Sequence, residues 1–235
     1  MNQIFDYSNH SDFIEIKSHD NGPFSSCSLT SHKETDGKFV RRNIPIQEEC
    51  IIKFKEICTK LFKMQYPCSI RPSYAVLPDF TSNISAALYT RYSEHQSLKK
   101  LIQKLEGGED IDNFDLTQKV IIIYGTLLFL NALHQDNAYH GRIKISNIIL
   151  DSQLYPYVSD PFLYLLNEND PLNNSNNQLI DYIVSLPPEI IKDENYTIKS
   201  DIYSIGIMIL QILTHQINIY ADLTNDYAQI LEIKR

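Results

Sequence analysis

Tryptophan is absent from this chain, and glycine is scarce, with 7 residues among 235. Basic residues are also in deficit, because 21 lysines and arginines stand against 29 aspartates and glutamates, for a formal charge of -8. An acidic chain repels a phosphate backbone, which excludes general nucleic-acid binding and leaves only a local site. Hydrophobic residues make up 43% of the chain, enough to fill a core, so a disordered polypeptide is also excluded.

Targeting signals are missing as well. The start, MNQIFDYSNHSDF, has neither a basic nor an apolar segment, so it predicts no signal peptide. The longest apolar-rich run, Val120 to Leu133, is shorter than the roughly 18 residues that span a bilayer, and it predicts a buried core helix. The four cysteines form no C-x-x-C pair and have no histidine cluster beside them, which indicates reduced thiols. We therefore expect a cytoplasmic protein without membrane contact.

Strand-like patterns dominate the first part of the chain. After a polar tail at 1–11, the alternation in Phe13 to Ile16 and the turn before Lys38 to Arg42 predict a β-hairpin sheet. Residues 47–64 have apolar residues at helical spacing, and residues 70–92 return to strand character.

Helical patterns dominate the remainder. Helices are predicted from residue 97, over 116–134, over 202–213 and around 227–233, with short strands near 147–150 and 155–158. The low-complexity stretch at 167–178 predicts a loop. Residues 202–213 are apolar nearly all round, which predicts a helix buried on all sides. Strands first and helices later favour an α+β arrangement of two lobes.

Six short segments carry a resemblance to a known family. In chain order they are Tyr66 to Ile70, Tyr89 to Leu98, His140 to Asp151 (HGRIKISNIILD), Asp160-Pro161-Phe162, Pro187-Pro188-Glu189 and Ser200 to Gly206. They resemble the connector, hinge, catalytic loop (H-R-D-L-x-x-x-N), D-F-G, A-P-E and central C-lobe helix of protein kinases. Each segment alone is weak, but six in the right order at plausible separations are specific.

The resemblance implies a bilobal protein-kinase-like fold from about residue 12 to 235. The N-lobe, about 12–92, would hold a β-sheet and one helix, and the C-lobe, about 93–235, would be mostly helical. After the helix at 202–213 too few residues follow for the family's last helices. The C-lobe is therefore expected to be incomplete, with an exposed apolar face that a protein partner would cover.

The catalytic-loop segment departs from the family at the position of the catalytic base. Arg142 stands where the family has the aspartate that accepts the substrate proton, and a guanidinium cannot accept one. Gly141 replaces the arginine that receives an activation-loop phosphate, so activation by that route is not expected. Three interpretations of Arg142 stay open: a solvated loop residue, a contact to nucleotide phosphates, or, as we prefer, an ion pair with Asp160.

Some phosphate-handling residues remain. Lys144 stands where the family places a lysine near the transferred phosphate, and Asn147 and Asp160 match its two magnesium ligands. These residues also have a structural interpretation. Lys144 would then be a surface lysine, and Asn147 and Asp160 would be relics that bind nothing. Pro161 and Phe162 replace the family's Phe and Gly, which restricts the backbone beside Asp160.

The nucleotide-binding parts of the N-lobe are eroded. Only Gly22 survives of the glycine-rich loop, and no lysine occupies the strand position that pairs with the α- and β-phosphates. Arg41 or Arg42 would have to supply that charge. Glu56 is the candidate for the helix glutamate, one residue from the ideal offset, and a solvated glutamate is the equal alternative. The hinge candidates are Thr90, Arg91, Tyr92 and Ser93.

Scaffold residues survive better than catalytic ones. His140 and Asp201 match the internal support of the C-lobe, and a buried Asp201 needs hydrogen bonds, for which the loop amides are candidates. Glu189 would lack its basic partner, and Gly206 would let the helix pack closely. Tyr182 and Ser185, before Pro187, are expected to be packing residues or exposed hydroxyls.

Because the scaffold residues are retained better than the catalytic ones, the sequence predicts a pseudokinase-type interaction or allosteric module. It would bind ATP with Mg²⁺ weakly or not at all. The first alternative is a divergent but active protein kinase of Ser/Thr or Tyr type, which would use Asp160 and Lys144 without a conventional base. The second alternative is a kinase gene fragment without a function of its own.

Overall fold

A computed structural model describes residues 8–21, 26–35, 37–92, 96–166, 180–192, 195–223 and 227–234. The chain forms two compact units. The first comprises Met1–Met64, Ile70–Ser93 and Leu165–Ser175, and the second comprises Gln65–Ser69, Glu94–Tyr164 and Asn176–Arg235. The predicted loop at 167–178 lies outside the described residues.

The first unit contains a five-stranded antiparallel sheet in the order β1-β2-β3-β5-β4. Its strands are β1 (Phe13–Asn21), β2 (Ser26–His32), β3 (Lys38–Ile44), β4 (Pro72–Val76) and β5 (Ala86–Arg91). The alternating segments near the start of the chain thus form the predicted sheet. β1 is five residues longer than its apolar alternation, because the ladder to β2 continues past Ile16 through a bulge.

One helix accompanies this sheet. It is α1 (Ile51–Lys63), which begins later than predicted because a 3-10 turn occupies Glu48–Cys50. Its buried residues, Phe54, Ile57, Cys58 and Leu61, recur every three to four positions and form one apolar stripe. The N-lobe content expected from the resemblance, a sheet plus one helix, is therefore present.

An aromatic cluster fills one face of the sheet. The Phe13 ring stacks on Tyr89 at 3.8 Å between centroids, and His32 stacks on Tyr74 at 5.3 Å. Phe39 meets Phe13 edge-on at 5.9 Å. Because Phe13, Phe39 and Tyr89 come from three different strands, these contacts fix the strand register as well as burying apolar area.

The second unit is mostly helical. Its helices are α2 (Leu98–Glu106), α3 (Leu116–Gln135), α4 (Ile180–Ser185), α5 (Pro188–Ile191), α6 (Ile198–Thr214) and α7 (Tyr227–Lys234). A small sheet of order β6-β7-β8 joins β6 (Gln96–Ser97), β7 (Ile148–Leu150) and β8 (Pro156–Val158). Polar caps start the long helices, since Ser97 accepts the Lys100 amide at 3.3 Å and Asp115 accepts the Gln118 amide at 2.9 Å.

The connector Tyr66 to Ile70 is bound to the second unit through Tyr66, Cys68 and Ser69. The Val158 amide donates to the Cys68 carbonyl at 2.7 Å, and the Tyr66 hydroxyl donates to the Asp136 carboxylate. Burial and the Asp136 carboxylate raise the pKa of Tyr66 to about 12, so the phenol remains protonated at neutral pH.

The helix α3 is longer than the apolar run that predicted it. It has 20 residues and contains an 18-residue window with a mean hydropathy of 1.5, so it is long and apolar enough to cross a membrane by length and composition, a test that core helices of soluble proteins also pass. One face of α3 lies in the core through residues that include Ile122, Phe129 and Leu133. On that helix a Cβ added at Gly125 would lie 2.5 Å from Pro156 Cγ, so glycine is required for this close approach.

The prediction that residues 202–213 are buried on all sides is wrong. Ile202, Leu210 and Leu213 of α6 expose 53%, 47% and 52% of their surface. Only the opposite side of α6 is buried, through residues that include Ile205 and Met208. The exposed apolar face expected on the C-lobe is therefore present, because the helix contacts the core on one side only.

Candidate functional site

Asp201 anchors the catalytic-loop segment of the second unit. The carboxylate is 1% exposed and accepts the backbone amides of His140 at 2.7 Å and Gly141 at 2.9 Å. The His134 Nε2 atom lies 3.0 Å from the same carboxylate. The hydrogen bonds that its burial demands are thus supplied by the loop amides, as predicted, and additionally by a histidine of α3.

His140 is held in one protonation state. Its Nε2 donates to the Ser159 carbonyl at 2.9 Å, and its Nδ1 accepts the Arg142 amide at 3.1 Å. A carbonyl can only accept and an amide can only donate, so both contacts require the neutral ring protonated at Nε2. Burial lowers the pKa of His140 against the opposing effect of Asp201, which favours the same neutral form.

Arg142 is fixed by its backbone. Besides its amide contact to His140, its carbonyl accepts the Asn147 side-chain amide at 2.9 Å. Hydrogen bonds among His140, Arg142 and Asn147 therefore fix the backbone of the loop that carries the Arg142 guanidinium. The ion pair proposed between Arg142 and Asp160 stays a prediction, as does the role of the half-buried Lys144.

Ser159 links the two candidate magnesium ligands. Its amide donates to the Asn147 carbonyl at 2.9 Å, and its hydroxyl lies 3.0 Å from Asp160 Oδ2 and 3.2 Å from that same carbonyl. Asn147 is 4% exposed, and its Nδ2 is used by Arg142. The pair offers an amide oxygen and a carboxylate, and oxygen is the ligand type that Mg²⁺ takes.

The backbone around Asp160 is strained at two non-glycine residues. Asp160 has a φ of 65° and Phe162 a φ of 68°, in the left-handed region that favours glycine. Phe162, which is 6% exposed, occupies this conformation where the resemblance expects a glycine. A left-handed conformation costs a bulky residue about 1 kcal/mol or more, which the burial of the ring offsets.

The sheet of the first unit places the two candidate arginines, Arg41 and Arg42, on opposite faces. Arg41 lies opposite Tyr89 on the face that carries the aromatic cluster. Its Nε donates to Asn43 Oδ1 at 2.7 Å, and its Nη1 lies 3.9 Å from Glu15 Oε2. The Arg41 side chain is therefore engaged by Asn43 and Glu15 on the face that carries the aromatic cluster.

Arg42 lies on the other face. Its cross-strand neighbours are Leu88 and Cys27, and the pair Val40–Thr90 stands next to it on that same face because side chains alternate along a strand. The structure thus brings Arg42 and Thr90 to one face and places Arg91 on the face of Phe39 and Arg41. The Tyr92 amide donates to the Lys38 carbonyl at 2.9 Å. Gly22 and Ser93 lie outside the described residues.

Glu56 does not face the sheet. It is exposed, whereas its neighbour Ile57 is 2% exposed and belongs to the buried stripe of α1. Within the described part of the first unit, Glu56 forms no ion pair with an arginine. The predicted pairing is therefore wrong, because the helical phase turns the apolar residue inward, and the alternative of a solvated glutamate holds.

The other residues predicted to have structural roles in the second unit differ in their surroundings. Glu189 Oε1 accepts the Ser200 hydroxyl at 2.7 Å, and the described residues supply no basic partner to it. Gly206 is exposed, and a Cβ added there would meet no atom within 4 Å, so the expected close packing within the chain is wrong. Ser185 is buried, so it is a packing residue, whereas the Tyr182 side chain lies outside the described residues.

Comparison with known proteins decides the family. The family model for the protein kinase domain matches residues 21–234, which is most of the chain. The chain belongs to the protein kinase family. Its two units correspond to an α+β kinase fold with an antiparallel N-lobe sheet and a largely helical C-lobe.

Curated kinases share parts of this chain. The G-type lectin S-receptor-like serine/threonine-protein kinase SD1-1 of Arabidopsis thaliana is 31% identical over 107 residues, 44% of this chain and 13% of that protein. The cysteine-rich receptor-like protein kinase 10 of Oryza sativa subsp. japonica is 30% identical over 128 residues, 53% of this chain and 20% of that kinase. The serine/threonine-protein kinase pakG of Dictyostelium discoideum is 25% identical over 193 residues, 81% of this chain and 15% of that kinase. The chain thus spans a fifth or less of these relatives.

Sequence reasoning missed three residues of this kinase site. The Ser159 hydroxyl contacts the Asp160 carboxylate, and His134 contacts the Asp201 carboxylate. The only local signal for them is position, Ser159 directly before the acidic residue and His134 in the last turn of α3. Ile57 belongs to the apolar stripe of α1, and its spacing of three residues from Phe54 and four from Leu61 is the signal that could have found it.

Proposed function

We propose that this chain is a pseudokinase-type interaction or allosteric module with at most weak nucleotide binding. The observation that carries the proposal is Arg142 at the position of the catalytic base. Its amide and carbonyl are both held, by His140 and Asn147. A guanidinium does not deprotonate in proteins, so this position has no group that can accept the proton of a substrate hydroxyl.

The first unit supports the same proposal. A kinase positions the nucleotide phosphates through a strand lysine paired with a helix glutamate. Here Arg42 occupies the candidate strand position, while Glu56 is exposed and Ile57 takes the inward position of the helix. Because Glu56 is exposed, it does not play the part of that helix glutamate toward Arg42, and this weakens the positioning of nucleotide phosphates.

Asn147 and Asp160 are the residues that would hold Mg²⁺. Their amide oxygen and carboxylate suit the ion, which would offset the charge of nucleotide phosphates when bound. Ser159 fixes the separation between them through the contacts at 3.0 and 3.2 Å. Retention of this pair is the observation that favours the alternative, a divergent active kinase that transfers phosphate slowly without a base.

The proposal includes a protein partner and a cytoplasmic location. All four cysteines are free thiols, which is typical of a reducing compartment. A module without transfer activity acts through what it binds, so its surface is the part expected to carry function. The class of acceptor residue, Ser/Thr or Tyr, matters only if the alternative holds.

The test is nucleotide binding followed by transfer. The unfolding temperature of the purified chain is measured with ATP in the presence and absence of Mg²⁺, and radiolabel transfer from ATP to a generic protein acceptor is then followed. We expect a small or absent thermal shift and no transfer above background. Asp160→Asn keeps a side chain that tolerates the left-handed backbone, and Asp112→Asn, at an exposed loop residue, is the matched control. Transfer that Asp160→Asn abolishes and Asp112→Asn preserves would overturn the proposal.

A further inference from the structure

The segment that precedes β1 is fastened to the sheet of the first unit. We call its residues 8–12 the N-terminal strap. At one end of the strap, the Ser8 amide donates to the Ala75 carbonyl of β4 at 3.2 Å. At the other end, the Lys33 amide donates to the Asp12 carbonyl at 2.8 Å, which continues the β1–β2 ladder by one pair. The strap therefore runs from the edge strand β4 to the start of β1.

His10 holds the middle of the strap through both ring nitrogens. Its Nε2 lies 2.8 Å from the Ser85 carbonyl, and its Nδ1 lies 3.0 Å from the Tyr89 hydroxyl. Since a carbonyl oxygen only accepts, Nε2 carries the ring hydrogen, and the bare Nδ1 of the neutral ring accepts from Tyr89. The two contacts thus bind the strap to β5 and to the residue before it through one tautomer of a neutral histidine.

Tyr89 is suited to the role of donor in this contact. It is fully buried, and its ring stacks on Phe13. Burial raises the pKa of Tyr89 to about 12, so the phenol keeps its hydrogen at neutral pH. A protonated His10 would carry a hydrogen on Nδ1 as well, and the Tyr89 oxygen would then have to accept it. The hydroxyl hydrogen would lose its acceptor, which is costly for a buried donor.

The surroundings of His10 also favour the neutral ring. Burial lowers the pKa of His10 from 6.5, the Ser85 carbonyl acts in the opposite direction, and the Arg41 guanidinium of β3 lowers it again. The strap therefore binds fewer protons when it is closed than when it is open, so its closure weakens as the pH falls below about 6.5.

Two carboxylates face the same tyrosine, Asp12 in the strap and Glu15 in β1. Both would favour a positive charge nearby, but each has another contact. Asp12 Oδ2 accepts the Asn9 amide at 2.9 Å, and Glu15 Oε2 lies 3.9 Å from Arg41.

His32 of β2 is the second histidine of the aromatic cluster. Its Nδ1 accepts the amides of Glu34 and Thr35 at 3.3 Å, so its contacts belong to the turn after β2 and not to the strap. A response of the strap to pH is therefore assigned to His10 only when substitution of His10 removes it.

We propose that the N-terminal strap is a pH-sensitive clasp on the N-lobe sheet, closed while His10 is neutral and released when its ring is protonated. Release takes the imidazole from Tyr89 and opens that end of the aromatic cluster to solvent. Tyr89 stands in β5 directly before the hinge candidate Thr90, so the clasp acts on the strand that leads into the hinge. The proposal concerns the first unit alone and holds whether or not the chain binds nucleotide.

The test is amide hydrogen exchange of the full chain, followed by NMR at about pH 7.5 and about pH 5, on either side of the ordinary histidine pKa. Each rate is divided by the intrinsic rate of an unprotected amide at the same pH. We expect the protection of the Ser8 amide to fall about tenfold or more at the lower pH, while the amides of β3 keep theirs.

Two substitutions of His10 separate its charge from its hydrogen bonds. His10→Gln supplies an uncharged donor and acceptor, so the Ser8 amide should stay protected at both pH values. His10→Ala removes both contacts, so that protection should be lost at both. His215→Gln, at a histidine of the second unit, is the matched control and should respond to pH as the parent does.

Three outcomes overturn the proposal. The first is a Ser8 amide that is equally protected at both pH values in the parent. The second is a pH response that His10→Gln retains, which would assign it to another group such as His32. The third is a strap that stays protected in His10→Ala. Protection of the β3 amides in each variant shows that the sheet is intact.

Discussion

Arg41 and Arg42 project from opposite faces of the N-lobe sheet. Arg41 lies opposite Tyr89, and Arg42 lies opposite Leu88. Arg41 is occupied by Asn43 at 2.7 Å on the aromatic side. Of the two arginines that the sequence offered as a substitute for the strand lysine, only Arg42 shares a face with Thr90, and it is the one that we expect to contact nucleotide phosphates.

Arg42→Ala is predicted to remove the nucleotide affinity that the chain retains. Loss of a phosphate-binding cation should weaken ATP binding about tenfold, or 1.4 kcal/mol. Arg41→Ala should leave ATP binding unchanged and cost at most about 1 kcal/mol of stability, because its ion pair with Glu15 is long and exposed. Isothermal titration with ATP distinguishes the two. An equal loss in both variants would contradict the assignment by face.

The sheet could be predicted from the sequence, whereas the faces on which its arginines lie depend on the strand register. The turns and alternation predicted the sheet, and the paired apolar residues then fixed which arginine faces which way. The apolar spacing of α1 was visible in the sequence and placed Glu56 beside the buried stripe, but the packing of the helix was needed to show that Glu56 is exposed. The ordered motifs likewise predicted the Asp201 contacts, since a buried carboxylate needs donors.

Other features could not be predicted because they are set by tertiary packing. The composition of α6 is apolar all round, and only the arrangement of its neighbours leaves Ile202 and Leu210 exposed. Gly125 and Gly206 are both mid-helix glycines, yet Pro156 approaches only the first. No sequence pattern separates a glycine under a close contact from one in open space.

Asp201→Ala is predicted to be among the most destabilising substitutions in the second unit. It would leave the amides of His140 and Gly141 and the ring of His134 without their acceptor. Removing one partner from such a buried network costs about 3–5 kcal/mol. Urea unfolding measures the loss, and Asp112→Ala, at an exposed residue, should stay within about 0.5 kcal/mol of the parent. Comparable stability of the two variants would show that Asp201 is not the anchor.

The two mid-helix glycines are predicted to respond to alanine with opposite signs. Gly125→Ala places a methyl group 2.5 Å from Pro156 Cγ and 3.3 Å from Cys68 Sγ, and the overpacking should cost about 1–3 kcal/mol. Gly206→Ala meets no neighbour and should gain about 0.5–1 kcal/mol through helix propensity. Both changes are measured as shifts in the thermal unfolding of the purified variants. A gain at both positions would refute the close contact at Gly125.

Arg142→Ala is predicted to raise the affinity for the magnesium complex of ATP. If Arg142 pairs with Asp160, its removal frees a carboxylate for the ion, and the dissociation constant should fall by about three- to tenfold. Arg71→Ala, at an exposed arginine before β4, is the matched control. Titration with ATP in the presence and absence of Mg²⁺ separates the contributions. An affinity that is unchanged, or that falls, would eliminate the ion pair and leave Arg142 as a solvated or phosphate-binding residue.

Lys234 is predicted to make stability depend on pH. Lys234 is 7% exposed, and its ammonium donates to the carbonyls of Ile183 at 2.7 Å and Val184 at 2.9 Å, at the end of α4. Burial lowers the pKa of Lys234 from 10.5 to about 7, although these carbonyls favour the charged form. Between those two values the unfolded chain binds more protons than the folded chain, so this lysine makes the free energy of unfolding rise with pH.

The substitution that tests this is Lys234→Met, with Lys199→Met at an exposed lysine of α6 as its control. Lys234→Met removes the titrating group and should flatten the rise in stability across the interval from about pH 7 to pH 10.5. It also removes two hydrogen bonds to α4, so its stability should fall furthest below the parent at the alkaline end, where the parent no longer bears the cost of a buried charge. Urea unfolding across that interval gives the slopes. Parallel pH profiles for the parent and Lys234→Met would show that the buried amine keeps its ordinary pKa.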